Sequence, residues 1–325
     1  MRTGRTLART TTLSERAKAH SARGAGVRSP PDRNSEGLGV VMPSMTVPTI
    51  TLNDQTTIPQ LGFGVFQVPP EETAETVTTA LEVGYRHIDT AEMYQNEQGV
   101  GEAIKASGIA RDELYVTSKL NNGFHRPDDA RRAFDATLTA LDLDRIDLFL
   151  IHWPLPTLYD GDFVSTWKTL AEFVADGRAT SIGVSNFQPA HLDRIVAETG
   201  VVPAVNQIEV HPYFTNEDAR AASIRHGVEV EAWSPIAQGK VLDDEVINKI
   251  GADYGKTASQ VTLRWHVERG DIVFPKSMKQ ERMRENFDIF DFSLTQDEVE
   301  AISALDRGED GRNGPNPDTF DYIPD

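Results

Sequence analysis

Four residues of the chain combine types that could move a proton and polarise a carbonyl: Asp89, Tyr94, Lys119 and His152. Asp89 ends the short apolar run from His87, Lys119 follows Leu114–Thr117, His152 follows Ile146–Ile151, and Tyr94 lies in the stretch after Asp89. A lysine at the end of an apolar run is partly desolvated and costly unless paired. Asp89 is its natural partner, and such a pair is equally compatible with a purely structural ion pair. Tyr94, which alone would read as packing, adds chemistry. A free tyrosine hydroxyl, with a pKa of about 10, is a poor proton donor at neutral pH. A lysine cation beside it favours the phenolate and is expected to lower that pKa. A Tyr–Lys–Asp relay then suits the protonation of an alkoxide as it forms. His152 reads either as a satisfied core histidine or as a hydrogen-bond donor to a substrate carbonyl. Metal ligation is disfavoured, because neither His-x-His nor His-Glu-x-x-His occurs.

A second cluster is cationic. Lys276, Ser277 and Lys279 precede Arg282, with Glu285 and Asn286 close behind. The pattern predicts a helix start at this place, which suits an anionic ligand; a solvated helix face would look the same.

The elements that must hold these residues alternate. Thr49–Leu52 and Thr56–Ile58 read as a small hairpin. Eight strand-like runs follow, at Leu61–Gly64, His87–Asp89, Leu114–Thr117, Ile146–Ile151, Thr180–Val184, Ala204–Gln207, Val228–Ala232 and Ile272–Phe274. Amphipathic helical patterns lie between and after them. Thr295 to Glu298 has capping-box spacing and predicts a further helix start. Eight strand–helix units imply an α/β fold of the (β/α)8 TIM-barrel type, preceded by the hairpin. A doubly wound nucleotide fold would carry a Gly-x-Gly-x-x-Gly turn after its first strand. Here that place reads Gly62-Phe63-Gly64-Val65-Phe66-Gln67. In a barrel, chemistry belongs at the C-terminal strand ends, where Asp89, Lys119, His152, Ser185-Asn186, Gln207, Trp233-Ser234 and Lys276-Ser277 fall.

Composition narrows the partners. The chain has 325 residues and a formal charge of −18, which argues against nucleic acid or an anionic membrane surface. Cysteine is absent, excluding disulfides and thiolate catalysis and suiting a reducing compartment. Residues 1–44 differ in kind: basic, rich in Ser, Thr, Arg and Gly, and without apolar periodicity, they predict a disordered extension. They read as an over-long gene start, with Met42 or Met45 as the true beginning, or as a transit-like segment. Residues 45–325 are expected to form a single barrel domain.

The segments Gly84 to Ala91, Tyr94 through Glu97, Leu148 to Pro154, Ser181 to Phe187, Gln207 to Pro212 and Phe274 to Ser277 together resemble the aldo-keto reductase family. The likeness is strongest to its bacterial branch of 2,5-diketo-gluconate reductases, through Met45 to Pro48 and the Gln238-Gly239-Lys240 loop. The resemblance implies NADPH as cofactor and reduction of aldehydes or ketones, with keto-sugars and α-dicarbonyls as candidates. It makes Tyr94 the general acid, Lys119 and Asp89 its tuning partners, and His152 the residue orienting the carbonyl. It assigns Ser185, Asn186 and Gln207 to the nicotinamide carboxamide and Trp233 to the face of its ring. Ser234, Ile236, Gln238 and Lys240 match the loop over the pyrophosphate. Lys276, Ser277 and Arg282 match the 2′-phosphate grip, and Asn286 with Glu285 the adenine contact. Phe66 and Trp153 match apolar walls of the substrate pocket. One departure stands out: relatives read Leu-Trp-Asn where this chain reads Leu120-Asn121-Asn122, which predicts a mouth open to larger or more polar substrates.

Other classes fit less well. A metal-dependent hydrolase needs clustered ligands that the sequence lacks. A nicotinamide-binding interaction or regulatory subunit with little turnover would not require the intact set Asp89, Tyr94, Lys119 and His152. A cytoplasmic monomer with a small carbonyl as its partner is expected.

Overall fold

A computed structural model describes residues 46–324; the extension expected for residues 1–44 lies outside the described residues. The hairpin forms as β1 (Thr49–Thr51) and β2 (Thr57–Pro59), paired antiparallel with Ile50 opposite Ile58. The eight following strands are β3 (Phe63–Gly64), β4 (His87–Asp89), β5 (Tyr115–Leu120), β6 (Ile146–Ile151), β7 (Ala179–Ser185), β8 (Val205–Glu209), β9 (Glu229–Trp233) and β10 (Ile272–Val273). They pair in parallel, each with its neighbour in sequence. The ring closes through a parallel bridge between Leu61 and Val273, with Gly62 N–H donating to the Val273 carbonyl at 2.7 Å. This is the expected TIM barrel.

Alternation along the strands sorts the core into two layers. On β6, Leu148 and Leu150 join an inner cluster with Leu52 and Ile58 of the hairpin, Tyr115, Val205 and Ile272. Phe149 and Ile151 point the other way, into the larger cluster shared with the surrounding helices. The hairpin therefore packs onto the inner layer, opposite the end where chemistry is expected. Helices begin where the sequence supplies starts. Proline occupies the first turn of the helices Pro70–Val83, Pro127–Leu141 and Pro189–Thr199, where no N–H is lost. Capping boxes open the helices Ala258–Glu268, through Thr257 and Gln260, and Gln296–Ser303, through Thr295 and Glu298 as predicted.

Two boundaries move in ways that bear on the site. β5 runs on through Leu120, so Lys119 lies within the strand rather than after it. The helix Gln280–Phe287 starts later than expected: Lys276 and Ser277 form a loop, with the Ser277 hydroxyl accepting the Lys279 N–H at 3.1 Å. Among the described residues, no helix is long and apolar enough to cross a membrane.

Candidate active site

Register brings the first group together. Asp89 ends β4, and β5 places Lys119 on the same inward face as Thr117, the register partner of Asp89. Lys119 is fully buried, and its Nζ donates to Asp89 Oδ1 at 2.7 Å and to the Thr90 carbonyl at 2.8 Å. Two of its three protons are thereby used, and the ammonium stands 5.1 Å from the centre of the Tyr94 ring. Tyr94 comes from a single 3₁₀ turn, Glu92–Tyr94, directly beyond β4. Asn96 pins that turn by accepting the Thr90 hydroxyl at 2.8 Å and donating to the Val65 carbonyl at 3.0 Å. His152, one residue past β6, presents its ring edge to Tyr94 with centroids 5.7 Å apart. Its Nδ1 is sealed from solvent without a partner among the described residues.

Electrostatics define what each group can do. Burial works against the charge of Lys119, but Asp89 and then Tyr94 outweigh it and hold the ammonium above its ordinary range. Burial, then the Lys119 charge, hold His152 well below its ordinary value, so it is a neutral imidazole with one N–H to donate. Tyr94 corrects an expectation. Lys119 does pull its pKa down, by charge and by hydrogen bonding, but burial is the larger effect, Asp89 adds to it, and the net shift is upward. At rest the hydroxyl is thus firmly protonated, as an acid awaiting a developing oxyanion must be.

A second group adjoins the first. The Ser185 hydroxyl donates to the Gln207 carbonyl at 2.8 Å, and Asn186 Nδ2 donates to the His152 carbonyl at 3.0 Å and to Ser185 Oγ at 3.1 Å. Trp233 Nε1 donates to Asn186 Oδ1 at 2.9 Å, and Gln207 Nε2 donates to Asp89 Oδ2 at 2.8 Å. Asn186, Ser234 and Gln238 all adopt positive φ, of 63°, 51° and 56°. Strain of this kind costs about 1–3 kcal/mol per residue and gathers where a ligand needs a particular backbone shape. Ile236 packs against the outer core, and Lys240 Nζ contacts Asn313 Oδ1.

The remaining predicted residues sit apart, with no direct bond to Tyr94, Lys119, Asp89 or His152. Lys276, Lys279 and Arg282 are exposed, and none forms a salt bridge among the described residues; Lys276 Nζ reaches the Gln67 carbonyl at 3.4 Å. Three free cations on so acidic a chain fit a multiply charged anion such as a phosphate monoester. Asn286 Oδ1 accepts from Ser259 at 2.8 Å and Glu285 from Thr257 at 2.6 Å. The hydrogen-bonding groups beside the buried acid and this separate cation cluster together fit NADPH.

On the open side, Phe66 is 54% exposed with its ring centre 5.0 Å from that of Tyr94. Trp153 is buried under Phe320, their centroids 4.2 Å apart. The irregular segment from Gly311 onward was expected from the family resemblance to border the pocket, but which of its residues do so could not be read from the sequence; Phe320 is one of them. Asn122 Nδ2 donates to the Tyr322 carbonyl at 2.9 Å, so the departure at Leu120-Asn121-Asn122 fastens a segment that carries apolar surface back to the mouth. Glu209, at the end of β8, holds the same segment by accepting the N–H groups of Asn313 at 2.6 Å and Gly314 at 2.9 Å. Any Cβ at Gly314 would lie 2.5 Å from the Trp233 ring. Glu231, buried inside the barrel, was missed. Its signal was one of two glutamates, Glu229 and Glu231, alternating with apolar residues in Val228–Ala232.

Residues 60–307 match the Aldo/keto reductase family. The chain is 47% identical over 275 residues to an aldo-keto reductase of Mycolicibacterium smegmatis, covering 85% of this chain and 98% of that protein. It is 46% identical over 280 residues to the methylglyoxal reductase DkgA of Escherichia coli K12, covering 85% and 99%. A crystal structure of a mutant Gox0644 in complex with NADPH superposes with a TM-score of 0.81 at 43% identity, covering 85% of this chain and all of that one. A barrel closed in this order, an acid group at its rim and likeness across almost the whole length of these relatives lead to one assignment: the chain belongs to the aldo-keto reductase family.

Proposed function

We propose that the chain reduces small aldehydes and ketones with NADPH, Tyr94 serving as the general acid. Membership of the family makes it an NADP-dependent oxidoreductase acting on carbonyl compounds; the proposal concerns the residues and the substrates. The observation that carries it is the buried ion pair of Lys119 and Asp89 beside the Tyr94 ring and the neutral imidazole of His152.

When bound, the dihydronicotinamide supplies the hydride. Ser185, Asn186 and Gln207 would hold its carboxamide and Trp233 the face of its ring. Ser234, Ile236, Gln238 and Lys240 would cover the pyrophosphate; Lys276, Ser277 and Arg282 would grip the 2′-phosphate, with Asn286 and Glu285 at the adenine. His152 donates its N–H to the substrate carbonyl oxygen and fixes the direction from which that oxygen meets Tyr94. Tyr94 gives its proton to the same oxygen as negative charge develops there. Lys119 then stabilises the phenolate left behind, and Asp89 keeps the ammonium in place. Phe66, Trp153 and Phe320 exclude water from one side of the reacting centre. Small α-dicarbonyls such as methylglyoxal and keto-sugars fit a site walled by these apolar rings beside the polar groups of Tyr94 and His152; Asn121 and Asn122, buried and bonded within the chain, do not open the mouth as the sequence predicted. A cytoplasmic, monomeric enzyme belongs to the same reading, to be checked by cell fractionation and light scattering.

The test is Tyr94→Phe, assayed by NADPH consumption with methylglyoxal. Turnover is expected to fall at least about a hundredfold, the usual share of general acid catalysis, with NADPH binding retained. Full turnover in that variant would remove Tyr94 from its role.

A further inference from the structure

Inside the barrel lies an acid that the reduction above does not use. Glu231 on β9 is the register partner of Gln207 on β8, and it is fully buried. Its Oε2 accepts from Gln207 Nε2 at 3.0 Å, while the same amide nitrogen donates to Asp89 Oδ2 at 2.8 Å. Both amide protons are therefore taken by acid oxygens. A flipped amide would instead set its carbonyl oxygen against Asp89, so the orientation is determined by its neighbours. Gln207 Oε1 makes no hydrogen bond among the described residues and remains free to accept one.

The groups facing Glu231 come from several strands. His87 Nε2 on β4 is 3.9 Å from Oε1, and Asp89, Lys119 and Tyr115 act on it through their charge or it on them. Burial, then the charge of Asp89, push its pKa up to about 8. At neutral pH it adds an acceptor without a second negative charge against Lys119.

We infer that Glu231 is a positioning residue which, with Asp89, locks the Gln207 carboxamide so that Oε1 is presented to the amide N–H of the nicotinamide. This rests on the reading of Gln207 as a nicotinamide contact. It makes Glu231 a determinant of how the reactive end of the cofactor is held, as distinct from its adenine end.

The test compares NADPH with 2′,5′-ADP, which carries the adenine and the 2′-phosphate but no nicotinamide, both titrated calorimetrically. In Glu231→Leu, NADPH affinity is expected to fall about tenfold, the upper range of one neutral hydrogen bond, with 2′,5′-ADP unchanged. Glu231→Gln retains an oxygen that can accept the same N–H and should restore the NADPH affinity. Gln207→Leu should weaken NADPH alone, and adding Glu231→Leu to it should cost nothing more. Weakened NADPH binding in Gln207→Leu but full affinity in Glu231→Leu would overturn the inference and leave the site reading intact. Undiminished NADPH binding in Gln207→Leu would overturn both. Equal loss of both ligands in Glu231→Leu would mean a merely structural role and also overturn it. Should the leucine variant fail to fold, Glu231→Met, of similar length and without an oxygen, takes the same test.

Discussion

Replacing Lys119 with methionine removes the charge at the centre of the site while keeping the length of the side chain. At 2.7 Å from Asp89 Oδ1, and with an effective dielectric of about 20, the gross Coulomb attraction is about 6 kcal/mol. Much of this offsets the desolvation of two buried charges, so the net worth of the pair is far smaller. Removing only the lysine is different. It leaves Asp89 with a single remaining donor, Gln207 at 2.8 Å, and deprives the Thr90 carbonyl of its partner. An uncompensated buried charge of this kind costs about 3–5 kcal/mol. Asp89→Asn in the Lys119→Met background removes that charge, so the double variant should be more stable than the sum of the single losses, by about 2–3 kcal/mol. Urea unfolding of the wild type, both single variants and the double variant gives the coupling directly. Turnover should fall as well, because burial and then Asp89 raise the pKa of Tyr94, and Lys119 would no longer oppose them. Single losses that add simply, or a Lys119→Met cost below about 1 kcal/mol, would show that the pair is not the buried, mutually dependent unit described above.

Arg282→Ala should weaken NADPH by roughly tenfold to a hundredfold, the size of a charged hydrogen bond, and leave NADH almost unaffected; equal loss for both cofactors would contradict a 2′-phosphate contact. Gly314→Ala places a methyl group 2.5 Å from the Trp233 ring, and overpacking of this sort costs about 1–3 kcal/mol. It should displace the C-terminal segment and raise the KM for substrate, read from initial rates; an unchanged KM would detach that segment from the mouth. Glu97 is buried beside Ser118, and burial is the main reason its pKa rises to about 7. A raised carboxyl pKa means that the folded state binds the proton more tightly, so this group's contribution is complete below its unfolded value of 4.5 and is lost as pH climbs to about 7. The wild type should therefore lose stability relative to Glu97→Gln across that window, at no more than about 1.4 kcal/mol per pH unit. Parallel pH profiles of the two proteins would contradict it.

Much of the site was legible because a barrel converts strand order into position. Asp89, Lys119 and His152 could be placed at strand ends from apolar runs alone, since parallel strands in sequence order put those ends on one rim. Trp233 followed from the same rule, whereas Lys119 and Gln207 lie inside their strands, which run on to Leu120 and Glu209. What sequence could not supply was contact between distant segments. Glu209 holding Asn313 and Gly314, Asn122 holding Tyr322, and Phe320 covering Trp153 join residues with no shared periodicity, and the C-terminal segment that they anchor is irregular. The direction of the Tyr94 shift was misjudged for a related reason: the charge of Lys119 is visible in its letter, whereas the depth of burial that outweighs it is not. By itself, then, the sequence determined the barrel, the order of its strands and the residues at its rim, because periodicity and capping are local. Only the tertiary structure decided which carboxyls are neutral, which amide faces which way, and what closes the mouth. Those depend on solvent exclusion and on partners brought together across the barrel.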